Sequence, residues 1–102
     1  MAVSKRFLKS KPVCKVGFKL PKAAANGATE MFLVGEFNEW NTKATPMKPL
    51  KDGSFSVSLD LESGREYQYR YLSDSGDWIN DPDADRFEFS AFASGDNCVV
   101  CL

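Results

Sequence analysis

Histidine is absent from this chain of 102 residues. Serine and cysteine triads need an imidazole base, so they are excluded. Zinc sites take about four ligands, and three cysteines with no histidine fall short. An odd cysteine count also argues against a disulfide framework and suits a reducing cytoplasm. The Cys98-Val99-Val100-Cys101 spacing imitates a redox motif, yet it reads as strand, whereas thioredoxin chemistry wants a helix N-terminus. The cysteines are therefore expected as small buried hydrophobes. No apolar run reaches the length of a membrane span, and the charged N-terminus lacks the apolar core of a signal peptide. The expected location is cytoplasmic. No stretch repeats apolar residues at helical spacing over three turns, and no glycine-rich phosphate loop follows a strand. The acidic run Asp81-Pro82-Asp83-Ala84-Asp85 imitates a calcium loop, but Arg86 and Phe92 stand where that loop needs glycine and glutamate. Carboxylates are plentiful without any spacing that fixes a glycosidase pair. The chain is accordingly expected to be no enzyme and to need neither metal nor cofactor.

What is present is an ordinary globular composition, long enough for one core. The net charge of −1 conceals a basic start, with Lys5, Arg6, Lys9, Lys11, Lys15, Lys19 and Lys22 all preceding the first acid, Glu30. Residues 1–11 show no periodicity and read as a flexible basic arm. Spread lysines without interleaved Trp or Tyr fit a solvated tail and strand face better than nucleic acid or membrane contact. From residue 12 a single domain is expected. Cys14, Val16, Phe18 and Leu20 alternate with Lys15, Gly17 and Lys19 as a half-buried strand, ended by Pro21. Ala23 to Gly27 reads as a loop. Met31 to Val34 reads as a strand buried on both sides. Met47–Leu50 and Ser54–Leu61 flank Lys51-Asp52-Gly53, a hairpin signal. Glu66 to Ser73 places Tyr67, Tyr69 and Tyr71 on one face, against Gln68, Arg70 and Leu72 on the other. Phe87-Glu88-Phe89 is either a short strand or loop, and Asn97 to Leu102 closes the chain as a strand. About seven short strands with frequent turns predict an all-β, immunoglobulin-like antiparallel sandwich.

Two tryptophans stand apart from this pattern. Trp40 lies in Gly35-Glu36-Phe37-Asn38-Glu39-Trp40-Asn41 and Trp78 in Ser75-Gly76-Asp77-Trp78-Ile79-Asn80-Asp81. Their neighbours are Asn, Asp, Glu and Gly rather than apolar residues. An indole face ringed by short hydrogen-bonding groups suits a sugar, which offers a C–H face and a hydroxyl rim. The alternative is that each indole caps an end of the core. If the three tyrosines face the core, Arg70 projects from the opposite face, one short turn from Trp78, as a donor to sugar hydroxyls.

The block Phe32-Leu33-Val34-Gly35-Glu36-Phe37-Asn38-Glu39-Trp40 resembles the V-x-G-x-F-N-x-W signature of the glycogen-binding module of AMP-activated protein kinase β subunits. Isoamylases and glycogen branching enzymes carry the related N-terminal module. Tyr67-Gln68-Tyr69-Arg70-Tyr71-Leu72 followed by Asp77-Trp78-Ile79-Asn80-Asp81-Pro82 is similar to the family's Y-x-Y-K-F…W…D-P block, and Asn97-Cys98-Val99 to its closing strand. Order and spacing agree over roughly residues 12–101. The resemblance implies an early-set sandwich over residues 12–102 that binds α-1,4-glucan or maltooligosaccharides without catalysis. Its stacking roles fall on Trp40 and Trp78 and its strand donor on Arg70, where the family has lysine. In the loop before the last strand, Phe92, Ser94 and Asp96 or Asn97 are the counterparts of its remaining sugar contacts. Arginine's planar fork suits vicinal hydroxyls. A carboxylate at Asp96 can only accept hydrogen bonds, so an amide's geometry would change there. The resemblance leaves a stand-alone module. A second expectation is a docking adaptor that recruits a glycogen-metabolising enzyme or a kinase.

Overall fold

The computed structural model describes residues 3–10, 12–25, 27–81, 84–90 and 95–102. In chain order its strands are β1 (Val3–Phe7), β2 (Val13–Leu20), β3 (Met31–Gly35), β4 (Lys48–Pro49), β5 (Phe55–Glu62), β6 (Glu66–Ser73), β7 (Trp78–Ile79), β8 (Arg86–Ser90) and β9 (Gly95–Cys101). All pair antiparallel. One sheet runs β1-β2-β5-β4 and the other β3-β6-β9-β8, with β7 on β6. Residues 66–69 of β6 pair with β9, while Tyr71 and Leu72 pair with β7. The strand carrying Trp78 therefore continues the line of the final strand along β6. This is the all-β sandwich expected from the alternation: seven strands of five or more residues, joined by two of two residues among those described.

The core lies between the sheets. Cys14, Val16, Phe18 and Leu20 of β2 are buried beneath Tyr67, Tyr69 and Tyr71 of β6 and Cys98 and Val100 of β9. Phe18 meets Tyr69 edge-on, with ring centroids 5.0 Å apart. Aromatic pairs favour this arrangement because a ring's positive edge meets its neighbour's negative face. The three cysteines are free, with Cys14 and Cys98 buried and Cys101 partly so. Cys98 and Cys101 lie three apart on one strand and so face opposite sides of the sheet.

Two sequence expectations change, and one pair of alternatives resolves. Part of the supposed basic arm is strand: Val3–Phe7 pair with Phe18–Cys14 of β2. Its alternation was hidden because Ser4, Arg6 and Phe7 are all exposed, Phe7 at 54%. Lys5 is tied to Asp85 across the sandwich mouth. Within the loop expected over residues 23–27, Lys22–Ala25 form one helical turn, as an alanine run favours. Phe87-Glu88-Phe89, left open between strand and loop, lies within strand β8.

Candidate functional site

Each piece of the first tryptophan block has a physical task. Gly35 ends β3 where the backbone of β6 comes close. A Cβ there would lie 2.6 Å from the Gln68 carbonyl oxygen and 2.8 Å from the Phe37 ring. Phe37 anchors the following 3-10 turn (Glu36–Asn38) to the core, with its ring 5.8 Å from Phe18 and 6.1 Å from Tyr67. Asn38 staples the loop. Its Oδ1 accepts the Gly35 N–H (3.1 Å), while its Nδ2 donates to the Leu33 carbonyl and Thr45 Oγ1, each at 3.0 Å. Glu39 and Trp40 then adopt left-handed backbone, φ 57° and 58°. Such residues cost about 1–2 kcal/mol each, offset here by the staple and by the Trp40 N–H donating to the Gly35 carbonyl at 2.9 Å. The outcome is an indole held at the surface, 38% exposed.

The second block is organised by a buried carboxylate. Asp81 is fully buried, and its Oδ2 accepts the hydroxyls of Tyr69 (3.1 Å) and Tyr71 (3.2 Å). Its N–H points at Cys98 Sγ, 3.0 Å away. Burial, reinforced by the negative charge of Asp81, raises the pKa of both tyrosines far above its ordinary value, so they stay protonated. Burial likewise pushes the Cys98 thiol up to about 11. Tyr69, Tyr71, Asp81 and Cys98 thus form one inward-facing polar unit that pins the chain just after β7. Trp78, three residues earlier, is left 47% exposed. Asp81 is therefore spent on the fold, and among the described residues no cluster suited to a metal occurs.

On the outer face of β6 the expected partition of the strand holds: Tyr69 is buried, and Arg70 lies among the lining residues of a surface cavity of about 710 Å³. Trp40 and Trp78 line the same cavity, as do Asn97, Gln68 and Glu36, with Thr42 and Ser90 completing it. The structure therefore brings together Trp40, Trp78, Arg70 and Asn97. It places the Asp96 backbone beside them: its carbonyl accepts from Arg70 Nε (3.2 Å) and Nη2 (2.6 Å) and from Asn80 Nδ2 (2.9 Å). Among the described residues, two of the five guanidinium N–H donors are used in this way, which leaves three for other acceptors. Phe92 and Ser94 lie outside the described residues. Neither tryptophan belongs to the apolar core.

Sequence reading missed Glu36, Thr42, Gln68 and Ser90 as wall residues. Gln68 was available from the two-residue period, since it shares a face with Arg70. Glu36 accepts the Gln68 backbone N–H at 2.6 Å, just past the point where β3 stops pairing with β6. No local pattern announces that contact.

Residues 22–94 match the family model described as carbohydrate-binding module 48 (isoamylase N-terminal domain). The human 5'-AMP-activated protein kinase subunit beta-2 is 41% identical over 58 residues, covering 57% of this chain and 20% of that protein. Protein PTST homolog 2, chloroplastic, of Arabidopsis thaliana is 40% identical over 57 residues, covering 56% and 10%. The 1,4-alpha-glucan branching enzyme GlgB of Photobacterium profundum is 36% identical over 53 residues, covering 51% and 7%. The chain thus matches a fifth or less of each of these relatives. With the match spanning more than half of its length, the chain belongs to the carbohydrate-binding module 48 family.

Proposed function

We propose that this module binds α-1,4-glucan without catalysis, stacking glucose units on Trp40 and Trp78 while Arg70 donates to their hydroxyls. The observation that carries the reading is the presence of two roughly half-exposed indoles and a guanidinium with unspent donors around one cavity. Indole faces match the C–H faces of glucose, and charged donors match its hydroxyls. A surface cavity of about 710 Å³ has room for a short stretch of sugar. Kinship with a 1,4-alpha-glucan branching enzyme supports the same ligand class. Asp96 takes part through its backbone carbonyl, which holds Arg70 in place, and Asn97 through its side chain. Phe92 and Ser94 remain members of the proposed site from the family pattern. Titration with β-cyclodextrin, followed by tryptophan fluorescence, tests the reading. A blue shift or quenching that saturates supports it. An unchanged spectrum together with no retention on glycogen defeats it.

A second reading is a docking adaptor. It is favoured by β8, an edge strand whose Phe87 and Phe89 are 45% and 70% exposed, and by kinship with a kinase subunit. Free maltooligosaccharide should displace a bound glucan. It should leave a protein docked on β8 in place.

A further inference from the structure

Strand β8 ends the β3-β6-β9-β8 order, so among the described residues its far edge pairs with no strand. Free edges are usually blunted by lysine, proline, a bulge or a covering segment, because unpaired backbone groups invite another chain. Arg86-Phe87-Glu88-Phe89-Ser90 contains neither lysine nor proline. Phe87 lies opposite the buried Cys98, so it and Phe89 stand on the inner side of the sheet, at its rim. Neither ring belongs to the core cluster.

The alternation of this edge is complementary to itself. Two copies related by a two-fold axis pair antiparallel about a single residue, and residues set opposite each other share a face. A centre on Glu88 would oppose two glutamates, and a centre on Arg86 two arginines. A centre on Phe89 would put Ser90 against Glu88 and gain no charge pair. A centre on Phe87 sets Arg86 against the second copy's Glu88 on both sides and ring against ring between them. Opposite charges and aromatic pairs in such positions stabilise, whereas like charges destabilise. Both charged groups have capacity left. Arg86 gives Nε and Nη2 to Glu66, while its Nη1 stays 3.9 Å from its own Glu88. Glu88 accepts Gln68 Nε2 on Oε2, which leaves Oε1 open among the described residues. Asp85, which this register sets against Phe89, is already neutralised by Lys5.

We propose that β8 pairs with β8 of a second copy of this chain, centred on Phe87. The two-fold axis then stands perpendicular to the sheet, so both outer faces, each with its cavity, lie on the same side. The two β6 strands are five strand spacings apart, about 24 Å. A long glucan can therefore engage both cavities, whereas a short oligosaccharide occupies one at a time. The pairing stands on β8 alone; the two-site grip rests on the glucan reading.

Sedimentation equilibrium tests the pairing on the whole protein, on Glu88→Arg, on Arg86→Glu and on an equal mixture of the two variants. Each variant alone opposes like charges, while the mixture makes every pair opposite in sign. The wild type should approach twice the chain mass at about 1 mM, as a small interface allows. Each variant alone should associate about tenfold more weakly, and the mixture should recover the wild-type strength. Phe87→Asp sets two carboxylates together at the centre and should leave a folded monomer. Its maltotriose affinity should match wild type, while its retention on glycogen falls about tenfold or more. A wild type that stays monomeric, or a mixture no more associated than its components, overturns the pairing. Should a charge variant fail to fold, a dimer of Phe87→Asp as tight as wild type overturns it instead. Equal glycogen retention by wild type and Phe87→Asp overturns the two-site grip. A dimer that binds neither sugar defeats the glucan reading and not the pairing.

Discussion

Adjacent residues of β6 carry opposite duties. Tyr69 is fully buried against Phe18 and donates to Asp81, whereas Arg70 lines the cavity. Tyr69→Ala removes a large buried ring and should cost about 3–5 kcal/mol, which a domain of this size can barely survive. Arg70→Ala should leave the melting temperature nearly unchanged and weaken glucan binding by about 1–2 kcal/mol, the size of a lost charged hydrogen bond. Thermal unfolding and calorimetric titration of both variants separate the two roles. The reverse pattern would mean that the strand faces the other way. The buried unit around Asp81 also makes a prediction about pH. The pKa values of Cys98, Tyr69 and Tyr71 are raised by folding, because burial disfavours their anions. Their contribution to stability is therefore complete below the ordinary thiol value of 9.0. It declines as pH rises from 9.0 toward 11 for Cys98, and at still higher pH for the tyrosines. Urea melts at pH 8 and pH 10.5 should show a lower midpoint at the higher pH. An unchanged midpoint would mean that these groups ionise as freely in the fold as outside it.

At the level of elements, the loop between β3 and β4 converts a sequence motif into a presented indole. Gly35 is required by the approach of β6, so Gly35→Ala forces either backbone or the Phe37 ring to shift. The expected cost is about 1–3 kcal/mol of stability, as for other overpacking changes, with glucan affinity falling because Trp40 moves with the loop. Chemical denaturation and fluorescence titration of this variant check both effects. Full affinity at wild-type stability would show that the loop tolerates a Cβ. These elements also show what the sequence made legible. The period of two revealed β2, β5 and β6 because each has one buried and one wetter face. The Asp52-Gly53 turn marked the β4–β5 hairpin, with Gly53 at φ 88°. Strand β1 escaped notice because both of its faces carry polar or exposed residues. Long-range contacts escaped altogether: the Asn38 staple can be seen locally, but the hydrogen bonds from Asn97 to Gln68 and from Gln68 to Glu88 join three strands distant in sequence. Trp40, Trp78 and Arg70 could be nominated from local polarity and parity, whereas their meeting at one cavity depends on sheet order.

For the molecule as a whole, both sheets share the core, and the lining of the candidate site comes from one of them. The candidate site lies on the outer face of β6 and β9 and on the loops beside them, in the sheet that does not contain β1. Removing residues 1–11 should therefore lower the melting temperature, since β1 pairs along β2, but leave glucan affinity within about twofold at temperatures where the protein is folded. A truncated protein that is stable but no longer binds would place part of the site on the opposite sheet. The central claim is that paired indoles hold the glucan, and calorimetry of maltoheptaose binding to wild type, Trp40→Ala and Trp78→Ala tests it most directly. Aromatic stacking on flat ligand rings is typically worth about 1–3 kcal/mol. Each single variant should therefore lose roughly 5- to 150-fold in affinity at an unchanged melting temperature. Wild-type affinity in either variant, or losses that only follow unfolding, would contradict the claim.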